Sequence, residues 1–337
     1  SVDYDDGGKH VVYQDEHGRT WKVGDRGFNG KVVFREQRYN LFGQPISATR
    51  PFKDGEPQGA LTLATFDTLG RVKSIEGPDG ARTSFMHTMS TTMRVDANGN
   101  TRSNRRDKDG RIVETTDVTA TPTLYRHGPF DQVTSIEDAQ GNVTSFDHDK
   151  LGRRTRLTDP DQGTTLFAYN AFGELIRSQH LTYEDVNQAD LVTDFQYDDL
   201  GRLRFRIDTE DETPATAQTT EYRYDTGAHG LGKLRRTISP DGITTAHSYD
   251  QYGRPHVTEW TVDGKSYRIE QSYDASLGRP TRLHYPGAGG HSFEIDAGYN
   301  AAGWLESAGR PTAAIWPAAK PIWQVGARNE SGALEAA

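Results

Sequence analysis

The chain has no cysteine, which excludes a disulfide framework, thiolate metal centres and a cysteine nucleophile. Long apolar runs are missing too: no stretch approaches the roughly 18 consecutive apolar residues of a membrane-spanning helix. Hydrophobic residues are 33 % of the 337, below the roughly 45–50 % (glycine counted) usual for a packed globular domain. Positive charge is in deficit, with 39 Lys and Arg against 48 Asp and Glu for a formal net charge of −9. Arg is interspersed with acids instead of clustered, so the basic footprint that nucleic-acid binding needs is absent. No secretory leader is visible at Ser1, and the first residue is not Met. The expectation is a section of something longer, with its address carried elsewhere.

Signatures of catalysis and metal binding are also wanting. There is no Gly-x-Ser-x-Gly elbow and no phosphate loop. The 11 His are scattered without metal-ligand spacing. Asp107-Lys108-Asp109-Gly110 begins like a calcium loop, but the later acidic ligands do not follow. Residues 208–212 read as a solvated charge run. The expectation is a protein without cofactor, without metal and without enzymatic activity.

What the chain has in quantity is glycine and aromatic residues: 35 Gly, 15 Tyr, 13 Phe and 5 Trp. Their regular pattern opposes disorder. The fullest version is Tyr197-Asp198-Asp199-Leu200-Gly201-Arg202-Leu203. Tyr249-Asp250 with Gly253-Arg254 repeats it, and Tyr169-Asn170 with Gly173-Glu174 keeps the frame with altered charge. Further copies are Tyr39 with Gly43, Phe66-Asp67 with Gly70-Arg71, Gly110-Arg111, Gly152-Arg153, Tyr224-Asp225, Tyr273-Asp274 with Gly278-Arg279, and Tyr299 with Gly303. In each, an aromatic residue ends a strand and Asp or Asn can bond its own backbone two residues on. Glycine then supplies a positive φ, and Arg with an aliphatic residue opens the next strand. That reads as a β-hairpin.

The turn glycines keep a beat. Gly152 and Gly173 stand 21 residues apart, as do Gly232 and Gly253, and Gly110 to Gly152 is twice that. The midpoint of that double interval is Asp131, where the turn glycine is replaced. A 21-residue beat suits two strands of about seven or eight residues and two turns. A second turn class alternates with the first, as in Pro78-Asp79-Gly80, Asp96 to Asn100, Asp138 to Asn142 and Pro240-Asp241-Gly242. The chain therefore reads as a long all-β meander of antiparallel hairpins, with one turn class at each edge. The beat slips around residues 180–190 and 210–218, which read as loop insertions. Three segments follow: lead-in hairpins over 1–38, the repeat sheet over 39–310, and a connection containing Pro and Ala over 311–337 where another repeat begins. The repeated Tyr and Arg read as a ladder, with rings stacked on neighbouring hairpins and Arg bonded to the adjacent turn's Asp. Exposed aromatics that bind sugars are the alternative, disfavoured by the scattering of Trp21, Trp260, Trp304, Trp316 and Trp323.

On these residues the chain resembles the YD-repeat, or Rhs-repeat, family over about 39–332. That family includes bacterial Rhs polymorphic toxins, the B–C components of Tc insecticidal toxins, wall-associated proteins and, distantly, animal teneurins. The resemblance implies a sheet that spirals into a hollow shell around a C-terminal toxic segment, of which this chain would be wall. Its implied partners are the remainder of the shell, the enclosed segment and a secretion or injection apparatus. It further implies a bacterial protein, secreted or delivered to a target cell. Rhs cores often end in a self-cleaving segment bearing Asp-Pro-x-Gly; Asp159-Pro160-Asp161-Gln162-Gly163 differs from it by an extra residue and sits at an ordinary second-class turn. Adhesion or carbohydrate binding, as in wall-associated or teneurin-like members, is the other function the resemblance offers.

Overall fold

The computed structural model describes residues 2–3, 9–181, 191–210, 213–287, 293–310, 320–329 and 333–336. The first part of the expected connection (311–319), most of the first insertion (182–190), two residues of the second (211–212) and residues 330–332 lie outside the described residues. The fold is all-β, a long antiparallel sheet built from hairpins that pair in chain order. A single short 3-10 turn, Pro214–Thr216, interrupts it among the described residues, where the second insertion was expected.

The strands are shorter than a 21-residue beat suggests: Val133–Glu137 has five residues and Val143–His148 six. The difference lies in the corners, each of which takes five residues of its own. Asp149 N–H donates to the Arg153 carbonyl at 2.9 Å, and Gly152 N–H donates to the Asp149 carbonyl at 3.0 Å. That is a type I turn followed by a residue at positive φ, the three-residue hairpin loop whose twist suits antiparallel strands.

The chain divides into two compact units. The first comprises Ser1–Met86, Arg94–Gly99 and Ile269–Ala337. Here Lys9–Gln14 pairs with Thr20–Arg26, which pairs with Val32–Tyr39. That third strand divides its length: Val33 and Phe34 face Phe52–Lys53, while Gln37 to Tyr39 face Pro45–Thr49. Phe34 and Phe52 are buried with ring centroids 6.2 Å apart. Lys22 lays its ammonium 4.1 Å from the Phe34 ring centre and 2.9 Å from Glu36. Asn300 and Trp304 tie late repeats to the lead-in: Asn300 Nδ2 donates to the Phe28 carbonyl at 2.8 Å and Trp304 Nε1 to that of Arg26 at 3.3 Å.

The second unit comprises His87–Met93 and Asn100–Arg268. From Thr101–Arg106 to Pro255–Val262 every strand pairs antiparallel with the next in sequence. Its apolar centre is small: Leu181 and Val192, with Leu166 against them. Burying a side chain such as Val192 contributes about 1.5–3 kcal/mol, and few sites do so. Across the described residues, buried polar side chains (Ser47, Thr49, Ser74, Thr164, Thr193) equal the buried apolar ones in number. Four of those hydroxyls bond across strands: Thr193 donates to Asp208 and Thr65 pairs with Ser74, both at 2.7 Å, Thr49 accepts the Glu36 N–H at 2.9 Å and Thr164 pairs with Thr158 at 3.3 Å. Low apolar content is accounted for: the ladder and such cross-strand pairs carry stability in place of a central core.

Candidate functional site

The repeated element is a five-residue corner organised by its first side chain. At Asp198, Oδ1 accepts the backbone N–H of Leu200 and of Arg202, both at 3.0 Å, while Oδ2 accepts Arg202 Nε at 2.8 Å. Gly201 stands at φ +73°, a conformation that costs a residue with Cβ roughly 1–2 kcal/mol. The same bonds recur at Asp67/Arg71, Asp107/Arg111, Asp149/Arg153 and Asp250/Arg254. Gly70, Gly110, Gly152 and Gly253 all have positive φ. The corner at Asp274 holds one extra residue and still receives Arg279 Nε at 3.0 Å, with Gly278 at positive φ.

First and fifth residues are matched by hydrogen-bonding sense. Where the first is Asp, an acceptor, the fifth is the donor Arg. Where it is Asn, whose amide also donates, the fifth is an acceptor: Asn40 Nδ2 donates to Gln44 at 2.7 Å and Asn170 Nδ2 to Glu174 at 2.5 Å. These corners carry Gly43 and Gly173 at positive φ. Asn300, before Gly303, faces Trp304 with no acceptor at its tip, and sends its amide to Phe28 instead. The altered charge at Tyr169–Glu174 is therefore a compensated exchange.

Corners of this class are linked to the next by rungs. The tyrosine just before a corner donates its hydroxyl to the carbonyl that follows the preceding corner. Tyr39 reaches Thr20, Tyr169 reaches Arg154, Tyr197 reaches Leu175, Tyr224 reaches Leu203, Tyr249 reaches Leu234 and Tyr299 reaches Pro280, all at 2.7–2.9 Å. The fifth-position cation of the earlier corner lies over the same ring, with centroid distances of 4.8 Å for Arg153 on Tyr169 and 4.5 Å for Arg202 on Tyr224 and Arg279 on Tyr299. A register shift marks the aromatic position, as at Phe66, Tyr197, Tyr249 and Tyr273, the local kink a β-bulge introduces.

Arg is thus bonded first to the Asp of its own corner, which corrects the expected bond to the adjacent turn's Asp. The short Arg side chain path of four residues closes the local pair, and only the outer guanidinium nitrogens remain to reach forward. They meet an acid of the next corner in two places: Arg111 with Asp131 at 3.1 Å, and Arg202 with both oxygens of Asp225 at 2.9 and 2.5 Å.

Three partners escaped the pattern in the sequence. Asp15 and Arg19, in the lead-in, form a full corner with Oδ2 to Nε at 2.7 Å, and Arg19 stacks on Tyr39 at 4.9 Å. The Asp-x-x-Gly-Arg lettering was present there without an aromatic before it. His127 takes the tyrosine place, with Nε2 2.7 Å from the Ile112 carbonyl. Its corner starts at Gly128 and lacks a carboxylate, so Gln132 Oε1 accepts the Phe130 N–H at 2.9 Å from the fifth position. Asp131 stands at φ +64°, where other corners have glycine. Lys233 replaces Arg, lying 4.8 Å from the Tyr249 ring centre and donating to the Gly253 carbonyl. One turn of the second class, at Asp138, is the same corner: Asp138 accepts Gln140 N–H and Asn142 N–H, and Asn142 Nδ2 donates to its other oxygen at 2.9 Å.

The clamp leaves its mark on ionisation. The Arg202 side chain, then the Arg202 backbone N–H, holds Asp198 below the usual carboxylate range. At Asp67 the backbone N–H of Arg71 leads and its side chain follows. At Asp149 burial pushes upward and is outweighed by the bonds from Arg153. Burial raises Tyr197, Tyr224 and Tyr249 above the ordinary phenol value. Carboxylates so engaged are charged and hold the turn. Among the described residues, no three His, Asp or Glu converge as a metal site.

Residues 129–164 match the family model described as RHS Repeat. In fold, the chain is similar to one in the structure of the Photorhabdus luminescens Tc holotoxin pore carrying the TccC3-D651A mutation. That match has 13 % identity and a TM-score of 0.77 over 97 % of this chain and 19 % of the other. It is also similar to chains in the crystal structures of TcdB2-TccC3-Cdc42 and TcdB2-TccC3, each 12 % identical, over 90 % of this chain and 22 % of those, with TM-scores of 0.52 and 0.53. The chain spans about a fifth of the length of the chains it matches. No curated protein matches it in sequence.

Proposed function

We propose that this chain, a run of YD (Rhs) repeats with the fold found in Tc toxin structures, is a section of the wall of a toxin shell. It acts as a non-enzymatic scaffold that encloses a toxic C-terminal segment before delivery. The observation that carries this reading is the recurrent corner-and-rung ladder, which among the described residues orders a sheet of many hairpins around few buried apolar side chains. A container wall needs that property, because one face of it must border a cavity. Its partners are the rest of the same shell, the enclosed segment and a secretion or injection apparatus, and its destination is outside the producing bacterium.

The geometry favours this reading over sugar binding. Motif tyrosines have their hydroxyls on backbone carbonyls and their faces under Arg or Lys, which leaves little of those rings for a glycan. The test is protease protection of the full-length protein together with electron microscopy. The expected result is a hollow particle in which the C-terminal segment resists protease until the sheet is unfolded. A solid particle, or a segment cut as fast as in isolation, would overturn the reading; tight binding on a glycan array would favour adhesion.

A further inference from the structure

Successive corners of a meander lie on alternate edges of the sheet, and in the second unit the two edges have opposite chemistry at one equivalent place. On the edge that carries the Tyr169, Tyr197, Tyr224 and Tyr249 corners, the residue before the positive-φ position is Phe130, Leu151, Phe172, Leu200, Leu231 or Tyr252, with Asp109 as the exception. These six side chains are 66–89 % exposed. At corners of the other edge the same place holds Thr119, Gln140, Gln162 and Asp241. The corners at Asp138 and Ser239 on the polar edge use the same backbone turn as that at Asp198, so the turn does not demand an apolar tip on one edge alone. A single exposed leucine needs no explanation, but a contiguous row marks an interaction surface.

We infer that this apolar edge docks the equivalent edge of another stretch of repeat hairpins in the same polypeptide. Two strands per repeat put successive tips about 10 Å apart, and a second edge of this kind has the same spacing, so tips of one fall between tips of the other. A groove of about 650 Å³ lies between Phe172 and Leu200 and is also lined by Ile176, room for a whole hairpin tip. The six apolar tip side chains carry no charge that docking would desolvate, while Asp109 and the neighbouring Lys150 and Asp199 are exposed charges on the same edge. The chain spans only about a fifth of the chains it matches, which provides for further hairpins as the occupant. The inference rests on the shell reading in that it names the edge by which wall meets wall.

The test places a photo-crosslinking amino acid at Phe172, at Leu200 and, on the polar edge, at Gln140 of the full-length protein. Cross-links from the first two sites to tips of other repeats within the same polypeptide, with none from Gln140, are expected. Leu200→Asn is expected to lower the melting temperature by about 2–4 °C, while Gln140→Asn leaves it unchanged. Absent tip-to-tip links, links only between separate copies, or an unaltered melting temperature for Leu200→Asn would each overturn the inference. Protease protection on the same samples reports separately on enclosure: loss of protection with tip-to-tip links retained removes the enclosed cargo and leaves the docked edge.

Discussion

At a repeat corner one small side chain holds five residues, because a carboxylate accepts up to four hydrogen bonds and here receives three from a single turn. Pairing by sense predicts how substitutions combine. Asn170→Asp sets a carboxylate against Glu174, and Glu174→Arg sets a donor against the Asn170 amide. Each alone should lower the thermal midpoint, while the double variant recreates the Asp–Arg corner and recovers it. The double-mutant cycle is expected to show a favourable coupling of about 0.5–1 kcal/mol; additive losses would remove the complementarity argument. Asp198, Gly201 and Arg202 could be read in the sequence as a turn because their local chemistry is repeated letter by letter. The Asn40–Gln44 and Asn170–Glu174 pairings could not, since only the coordinates show the amide turned to donate. Nor could the role of Gln132, which supplies from the far end of its corner what Gly128 lacks.

At the scale of the element, the rung decides how one hairpin registers on the next. Tyr249 donates to the Leu234 carbonyl at 2.7 Å while Lys233 covers its ring. Tyr249→Phe keeps the ring and removes the donor, so it should destabilise by about 1 kcal/mol. Tyr252→Phe, at an exposed corner tip, should change stability by less than about 0.5 kcal/mol. Urea unfolding of both variants separates a rung from a tip; equal losses would mean the hydroxyl contact contributes nothing. The meander and its two edges were legible from alternating turn classes. Strand length was not, because the corner's five residues were counted partly as strand. The direction of each Arg was also out of reach, since the lettering offers an acid four residues back and another twenty or more ahead without saying which the guanidinium meets.

For the molecule as a whole, the repeated clamp sets a pH window. Asp67, Asp107, Asp149, Asp198 and Asp250 are all held below their ordinary value in the folded chain. A lowered folded-state value means stability that is present above the unfolded value, near 3.9, and is lost as pH falls through the folded ones. Tyr197, Tyr224 and Tyr249 are shifted upward, so their contribution is complete below about 10 and fades as pH rises further. Thermal melts should therefore show a plateau across neutral pH, with cooperative loss below about 4 and above about 10. A melting temperature that kept its neutral value down to about pH 2 would contradict it. The small apolar centre followed from composition, whereas the Asn300 and Trp304 bonds to the lead-in left no trace in the repeat pattern.

Pairing in chain order also fixes a schedule. A ribosome adds about 5–20 residues each second, so one beat of 21 residues emerges about every one to four seconds, while a hairpin closes in about 1–10 μs. Each repeat of the second unit can settle onto its predecessor long before the next exists, and a half-made polypeptide exposes one unfinished strand at a time. The bond from Asn300 to Phe28 spans 272 positions, so in the first unit Phe28 must wait for 272 further residues to be synthesised before its partner arrives.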